Sequence, residues 1–251
     1  NKKLINLNIN NNKIVYSKSS YINGGIYKFK KTIFKYIIKY NCSLENDILP
    51  ELIKSKKVSG KKFNDFFLDI GTPKNLIYAK RRLISYLRRP AVFLDRDGTI
   101  NEDFGYTHQK KDLKFRKGVI NGLQKLQKKS FQLFIITNQA GIGKGFFDLN
   151  KFYKFQQFMK SYLIKKNIFV NDIEFCPYHP DATIKKYKKQ TNLRKPGNLM
   201  IKNILNKWPI NLSRSVMIGD QKSDYLCAKK SNIKFYYTEK DFTKIVSKIK
   251  V

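Results

Sequence analysis

The stretch "VFLDRDGTIN", residues 92–101, decides the fold. Apolar residues run directly into Asp95 and Asp97, and Gly98-Thr99 follow. The apolar part, with Ala91, reads as a short buried strand. In a parallel sheet, ligands bind outside the carboxyl ends of the strands. Residues i and i+2 of a strand share a side, so Asp95 and Asp97 address one site and Arg96 is expected to turn away. Gly98 lets the chain turn and lets a ligand approach the backbone.

Outward from this stretch the pattern alternates strand and helix. "VINGLQKLQKK" (119–129) has helical spacing, "FQLFIITN" (131–138) is a second buried strand, and "LNKFYKFQQFMKSYLIKK" (149–166) is a helix capped by Asp148 or Asn150. "NDIEFCP" is a third strand and "NLMIKNILNKW" (198–208) a helix. "SVMIGD" (215–220) is a strand ending in another aspartate, "SDYLCAKKSN" a short helix, and "IKFYYT" (233–238) a last strand. The expected fold is α/β, a Rossmann-like parallel sheet with helices on both faces.

Taken alone, Asp-x-Asp is a weak signal that reads first as capping or surface aspartates. Three later features strengthen the chemical reading. One strand ends in Thr137-Asn138, Arg194-Lys195-Pro196 follows a loop, and another strand ends in Gly219-Asp220 with Asp224 four residues on. Hydroxyl, cation and carboxylates in this order suit phosphoryl transfer to a carboxylate. Asp95 would be the nucleophile, forming an aspartyl-phosphate. A carboxylate and a phosphate repel, so Mg²⁺ is expected between them, held by Asp95, Asp220 and the backbone carbonyl of Asp97. Asp97 would protonate the leaving alkoxide and then activate water. Thr137 would hold phosphate oxygens, and Lys195 would balance the charge of the transferring group. Asp224 would either steady the metal site or cap the next helix. "GIGKG" (141–145) lacks Walker spacing and a following Ser or Thr, so it reads as a flexible loop edging the site. His108 is either a substrate contact or an ordinary loop histidine.

This constellation resembles the haloacid-dehalogenase superfamily. More closely, "FLDRDGTIN", "GYTH", "TNQAGIGKG", "CPYHP", "RKP" and "IGD" look like the heptose-bisphosphate phosphatases and their histidinol-phosphatase relatives, over about residues 91–240. The resemblance implies removal of the C7 phosphate from D-glycero-D-manno-heptose 1,7-bisphosphate. It also implies that the segment Asp103–Tyr106 (with Gly105), Asn138, Gln139 and Arg194 bind substrate, Arg194 gripping a second, non-reacting phosphate. That family carries a zinc loop. Here Cys176 stands at the first ligand position, Tyr178 at the histidine position with His179 one place late, and Thr191 and Leu193 at the last two cysteine positions. Four tetrahedral ligands cannot be assembled from these, so zinc is not expected and Cys176 reads as a small buried hydrophobe.

Residues 1–90 read differently. "LINLNINNNKIVY" alternates like a hairpin with Asn-Asn at its turn, "INGGIYKFKK" and "FFLDIGTP" read as strands, "NDILPELIKS" as a short helix and "KNLIYAKRRLISYLRR" as an amphipathic connecting helix. The expected domains are 1–88 and 89–251, with Arg89-Pro90 at the boundary. "YINGGIYKF", "CSLENDILPELI" and "FFLDIGTPKNLIYA" look like the carboxyl-terminal part of sugar-phosphate nucleotidyltransferases, nearest the heptose-1-phosphate guanylyltransferase group. By that resemblance Asp69 is a metal-binding aspartate without its partner carboxylate. The expectation is a residual, partial α/β nucleotidyltransferase fragment with no transferase activity of its own; the alternative places its missing half on an upstream piece of a longer protein. Because phosphatase and guanylyltransferase are successive steps toward GDP-heptose, the pairing favours the α-anomeric bisphosphate.

The chain has 251 residues, a length suited to one or two domains, and 41% hydrophobic residues to fill a core. It begins with Asn, which suggests a fragment or a trimmed chain. It holds no apolar run of about 18 residues, so no membrane partner is expected. Three scattered cysteines point to a reducing cytoplasm. The net charge of +34 invites a nucleic-acid reading. The excess is mostly lysine, spread along the chain and accompanied by abundant Asn, Ile, Tyr and Phe, which AT-rich coding also produces. Some non-specific polyanion affinity follows either way. Alternative functions are a histidinol-phosphate or nucleic-acid 3′-phosphate phosphatase, or a non-catalytic polyanion-binding module.

Overall fold

A computed structural model describes residues 7–18, 21–38, 41–64 and 67–249. They form two compact units, one ending at Ala79 and one beginning at Lys80. That division falls inside the helix Pro73–Leu87, ahead of Arg89-Pro90.

The first unit opens with strands β1 (Leu7–Asn10) and β2 (Lys13–Tyr16), paired antiparallel. Asn11 and Asn12 make the turn with φ of 45° and 61°. Asn tolerates this left-handed region better than most residues, which is why the hairpin closes there. Helix α1 (Leu49–Lys54) buries Leu49, Leu52 and Ile53 together with Ile48. Helix α2 (Pro73–Leu87) follows. The strands expected at 22–31 and 66–73 are corrected: the described residues there form no strand. A strand needs a neighbour to complete its hydrogen-bond ladder, and among the described residues β1 and β2 form a two-stranded sheet that adds a single bridge, from Lys13 to Ser59. Gly25, at φ 70°, also breaks the first of these runs.

The second unit is built on a parallel sheet of β3 (Ala91–Leu94), β4 (Gln132–Asn138), β5 (Val170–Cys176), β6 (Val216–Gly219) and β7 (Lys234–Tyr237), in the order β5-β4-β3-β6-β7. Its helices are α3 (Val119–Lys128), α4 (Ala140–Gly143), α5 (Leu149–Lys165), α6 (Leu199–Lys207), α7 (Lys222–Lys230) and α8 (Phe242–Lys248). Alternation along β3 sorts the core into two layers. Val92 and Leu94 pack with Leu123, Leu163 and Phe242 from α3, α5 and α8. Ala91 and Phe93 pack with Met200, Ile204 and Ala228 from α6 and α7. Both faces of the sheet are therefore covered, as an all-parallel sheet requires. Asp148 caps α5, accepting from the Lys151 amide at 2.7 Å. Helix α8 and the single turn α4 are additions to the sequence reading. Among the described residues, no helix is long and apolar enough to cross a membrane.

Candidate active site

The three central strands β4, β3 and β6 deliver polar groups to one end of the sheet. β3 ends at Leu94, and the Asp95 amide still donates to Ile218 O at 3.0 Å, so Asp95 is held against β6. β4 ends in Thr137-Asn138 and β6 in Gly219, just before Asp220.

Lys195 is the hub. Its Nζ lies 2.5 Å from Asp95 Oδ1 and 2.6 Å from Asp224 Oδ1, and donates to Ile136 O at 3.0 Å. The loop that carries it is fixed to β4 by a reciprocal pair: Lys195 N donates to Asn138 Oδ1 at 3.0 Å, and Asn138 Nδ2 donates to Lys195 O at 3.1 Å. Burial works against the buried ammonium, but Asp95 and Asp224 outweigh it and hold Lys195 above its usual range. Burial pushes the Asp95 carboxyl up to about 8, Lys195 pulling down and Asp224 and Asp97 pushing further up. Burial also raises Asp220.

Asp95, Asp220 and Asp224 each offer an oxygen, all within 4.8 Å of one another. Three carboxylates against one ammonium leave a formal charge of −2 in a partly dry site. Asp220 Oδ1 is buried without a hydrogen-bond partner. A Cβ on Gly98 would stand 2.4 Å from Asp220 Oδ2, and Gly98 has φ 77°, so only glycine fits beside this cluster. Hard oxygen donors, an unpartnered carboxylate oxygen and a net deficit of two positive charges fit a divalent cation of the Mg²⁺ type. Asp224 caps α7, its Oδ2 accepting from Gln221 N at 3.0 Å to close a capping box, while its Oδ1 meets Lys195.

Asp97 is turned from this cluster. It accepts from Arg96 Nε at 3.0 Å and Nη2 at 2.6 Å, from Asn101 Nδ2 at 2.9 Å and from Gln139 Nε2 at 2.9 Å. The expectation that Arg96 turns away is thereby corrected. Its guanidinium is fully buried, faces Phe155 at 5.0 Å and also donates to Thr107 O at 2.8 Å. The two-residue period stops where β3 stops; Ile100 N and Asn101 N both donate to Arg96 O, winding 95–101 into a turn. Arg96 and Asn101 were missed, although both stand inside the opening motif.

Gln139 is buried and bridges Asp97 and Thr137, donating to Thr137 Oγ1 at 2.8 Å. The Thr137 hydroxyl proton is thus left to donate elsewhere. Asn138 and Gln139, expected to bind substrate, direct these side-chain groups to partners within the protein. Asp103 is exposed and accepts from Gly105 N at 2.9 Å in an Asx turn; Gly105 and Tyr106 follow with φ of 77° and 53°. This turn holds the Tyr106 ring stacked on Phe146 at 4.4 Å. Arg194 Nη1 is buried with no acceptor, and burial lowers its guanidinium from the usual range. His108 Nδ1 contacts Tyr106 O at 2.7 Å and its ring stacks on Phe147 at 4.5 Å, an ordinary loop environment.

The loop after β5 does not fit zinc. Tyr178 packs on Tyr187, with Lys189 Nζ 4.1 Å from its ring centre, and Leu193 packs against the core with Phe93 and Met200. The Cys176 thiol meets Tyr178 O at 3.7 Å, and burial raises it. Neither Thr191 nor Leu193 supplies a thiolate.

Residues 192–245 match the family model described as HAD-hydrolase-like. A D-glycero-β-D-manno-heptose-1,7-bisphosphate 7-phosphatase of Photorhabdus laumondii is 41% identical over 144 residues, 57% of this chain and 77% of the relative. The Escherichia coli (strain K12) protein of the same name is 35% identical over 144 residues, 57% and 75% of the two chains. Among solved structures, a HAD-like protein of Mesorhizobium loti superposes with TM-score 0.56 at 27% identity, covering 58% of this chain and 70% of that one. D,D-heptose 1,7-bisphosphate phosphatase of B. bronchiseptica, solved with magnesium and phosphate, superposes with TM-score 0.55 at 21% identity, covering 64% and 86%, and supports the fold. The chain belongs to the D-glycero-β-D-manno-heptose-1,7-bisphosphate 7-phosphatase family of HAD-like hydrolases.

Proposed function

We propose that this phosphatase removes the C7 phosphate of a D-glycero-D-manno-heptose 1,7-bisphosphate through an aspartyl-phosphate on Asp95. The observation that carries the reading is Asp95 held between Lys195 and the acidic pair Asp220 and Asp224 at the sheet end. Asp95 Oδ attacks phosphorus as the bond from phosphorus to the C7 oxygen breaks, and Asp97 delivers a proton to the leaving alkoxide. Asp97 must first yield a hydrogen bond from Gln139 or Arg96, since both its oxygens accept N–H donors. In the second half Asp97 takes a proton from water, the water oxygen bonds phosphorus, and Asp95 leaves as carboxylate. Thr137 donates its hydroxyl to a phosphoryl oxygen and Lys195 balances charge that builds there. Asp95, Asp220 and the Asp97 carbonyl would hold Mg²⁺, with Asp224 beside them; bound there, it screens the phosphate from the attacking carboxylate.

The relatives' names specify the β anomer, so the β-bisphosphate is the first substrate to test. The α anomer rests only on the resemblance seen in the first ninety residues. For those residues we infer a nucleotidyltransferase-like remnant without transferase activity. Support for it is the sequence pattern alone; Asp69 Oδ1 accepts from Gly71 N at 2.8 Å in an Asx turn. The three unpaired cysteines support a cytoplasmic setting.

The test is phosphate release with Mg²⁺ from both heptose anomers, histidinol phosphate and 3′-phosphorylated DNA, the released position being read by ³¹P NMR. Release from C7 of a heptose bisphosphate is the expected result. Release from histidinol phosphate or DNA alone overturns the substrate, and no release from any of them overturns the enzyme reading.

A further inference from the structure

The outer edge of the parallel sheet carries a side-chain cluster that the reaction scheme does not use. β7 is last in the order β5-β4-β3-β6-β7, so one side of it has no neighbouring strand among the described residues. Three aromatic rings gather there. Tyr225 of α7 and Tyr237 of β7 stand near-parallel, with 23° between their planes and 6.5 Å between their centres. Phe235 meets both at steep angles, 5.8 Å from Tyr225 and 4.8 Å from Tyr237. T-shaped contacts of this kind are favourable, so the rings hold one another in place. Even so, Tyr225 is 40% and Tyr237 53% exposed. Aromatic surface that is already fixed loses little freedom when a flat ligand lands on it.

Charge decides which flat ligand that is. Tyr225 and Phe235 line a cleft of about 340 Å³ whose wall includes Lys229 and Lys234 and no acidic residue. Lys222 and Lys229 stand three residues before and four after Tyr225 on α7, which puts all three on one face of the helix. The nearest acids along the chain are engaged elsewhere, Asp224 with Lys195 and Glu239 with Lys248. An aromatic cluster can receive a quaternary ammonium, but lysines at its rim repel one. The same lysines attract an anion. Aromatic faces for bases beside ammonium groups for phosphates are the means by which proteins hold single-stranded nucleic acid.

We propose that Tyr225, Phe235 and Tyr237, with Lys222, Lys229 and Lys234, form a binding site for single-stranded nucleic acid. Bases stack on the two tyrosines, and the lysines meet the phosphates. The net charge of +34 attracts any polyanion and is blind to its bases. The aromatic cluster adds affinity that depends on the bases and resides at one place on the surface. A duplex keeps its bases stacked inside and gains only the charge term.

The test is fluorescence anisotropy at fixed salt with three labelled probes: an oligothymidylate of about 12 nucleotides, an abasic strand of the same length and charge, and a duplex of the same length. The full chain is compared with Tyr225→Leu, Tyr225→Trp and a charge control, Lys125→Gln with Lys128→Gln on α3. The wild type is expected to bind oligothymidylate about tenfold more tightly than the abasic strand, as one stacked base would give. Tyr225→Leu should lose about tenfold on oligothymidylate and nothing on the abasic strand, while Tyr225→Trp retains the wild-type affinity. The charge control should weaken both strands alike. Equal wild-type affinity for the two strands, or an unchanged oligothymidylate affinity in Tyr225→Leu, overturns the proposal. So does tighter binding of the duplex than of oligothymidylate. Weak binding by Tyr225→Leu and Tyr225→Trp together also overturns it, because the second variant keeps a ring to stack on.

Discussion

Arg96 and Asp97, neighbours on the chain, form a two-point contact, Nη2 to Oδ2 at 2.6 Å and Nε to Oδ1 at 3.0 Å. The planar guanidinium is itself clamped, by Thr107 O and by Phe155 behind it. The carboxylate proposed as acid and base is therefore aimed by its own neighbour. Lysine in place of Arg96 keeps the charge but offers no fork. Arg96→Lys is expected to lower kcat by about 10²-fold, at the lower end of what a positioned acid–base group contributes, with little change in KM. Steady-state kinetics over a range of substrate concentrations checks this, and a full kcat in the variant would refute the positioning role.

Lys195 neutralises two buried carboxylates at once, so its removal and that of Asp95 differ in kind. Lys195→Met leaves Asp95 and Asp224 facing each other in a dry site and is expected to cost about 3–5 kcal/mol of stability. Asp95→Asn removes the carboxylate that burial already disfavours and leaves Lys195 paired with Asp224, so it is expected to cost far less. Adding Asp95→Asn to Lys195→Met should recover part of the lost stability and none of the activity. Denaturant unfolding of the two single variants and the double variant measures the coupling.

Much of this was legible in the sequence where residues obey a simple period. The apolar runs of β3, β4 and β6 declared buried parallel strands, and their polar ends pointed to the site. What the sequence hid lies where that period ends. Arg96 and Asn101 turn inward because 95–101 is a turn closed by bonds to Arg96 O, which no alternation rule foresees. Nor does a period foresee that Gln139 is buried between Asp97 and Thr137 and bonds to both. The hairpin of the first unit formed, whereas the strands expected at 22–31 and 66–73 did not, because strand propensity carries no information about whether a partner strand exists.

The loop after β5 is held by aromatic packing. Tyr187 is buried against Ile142 and Phe147, and its backbone carbonyl accepts from His179 N at 3.2 Å. Tyr187→Ala is expected to cost about 3 kcal/mol, typical of a large buried side chain. EDTA is expected to abolish hydrolysis, with Mg²⁺ restoring it, and to leave the thermal unfolding midpoint of the Mg²⁺-free protein unchanged. A midpoint that falls on adding a zinc-selective chelator would contradict this reading of the loop.

The cysteines give a pH-dependent check on the core. Burial pushes the Cys227 thiol up to about 11, Lys195 opposing and Asp224 adding, and burial likewise raises Cys176. The thiolate is the reactive form, and a group with pKa near 11 is only about a thousandth ionised at pH 8. Both side chains are also fully covered, Cys227 between α7 and the sheet and Cys176 at the end of β5. Cys42 is half-buried in the first unit. Native protein at pH 8 is therefore expected to react with one equivalent of a thiol reagent such as DTNB, and denatured protein with three. Because the folded pKa of Cys227 lies above the ordinary thiol value, the thiolate is disfavoured in the native state. Stability from this group is present while the thiol stays protonated in both states, and it falls as pH rises above the ordinary thiol value, where the unfolded chain ionises first. Unfolding followed between pH 7 and 10 should show stability declining through that window, with Cys227→Ala flattening the decline. A decline of the same slope in that variant would rule out the buried thiol as its source.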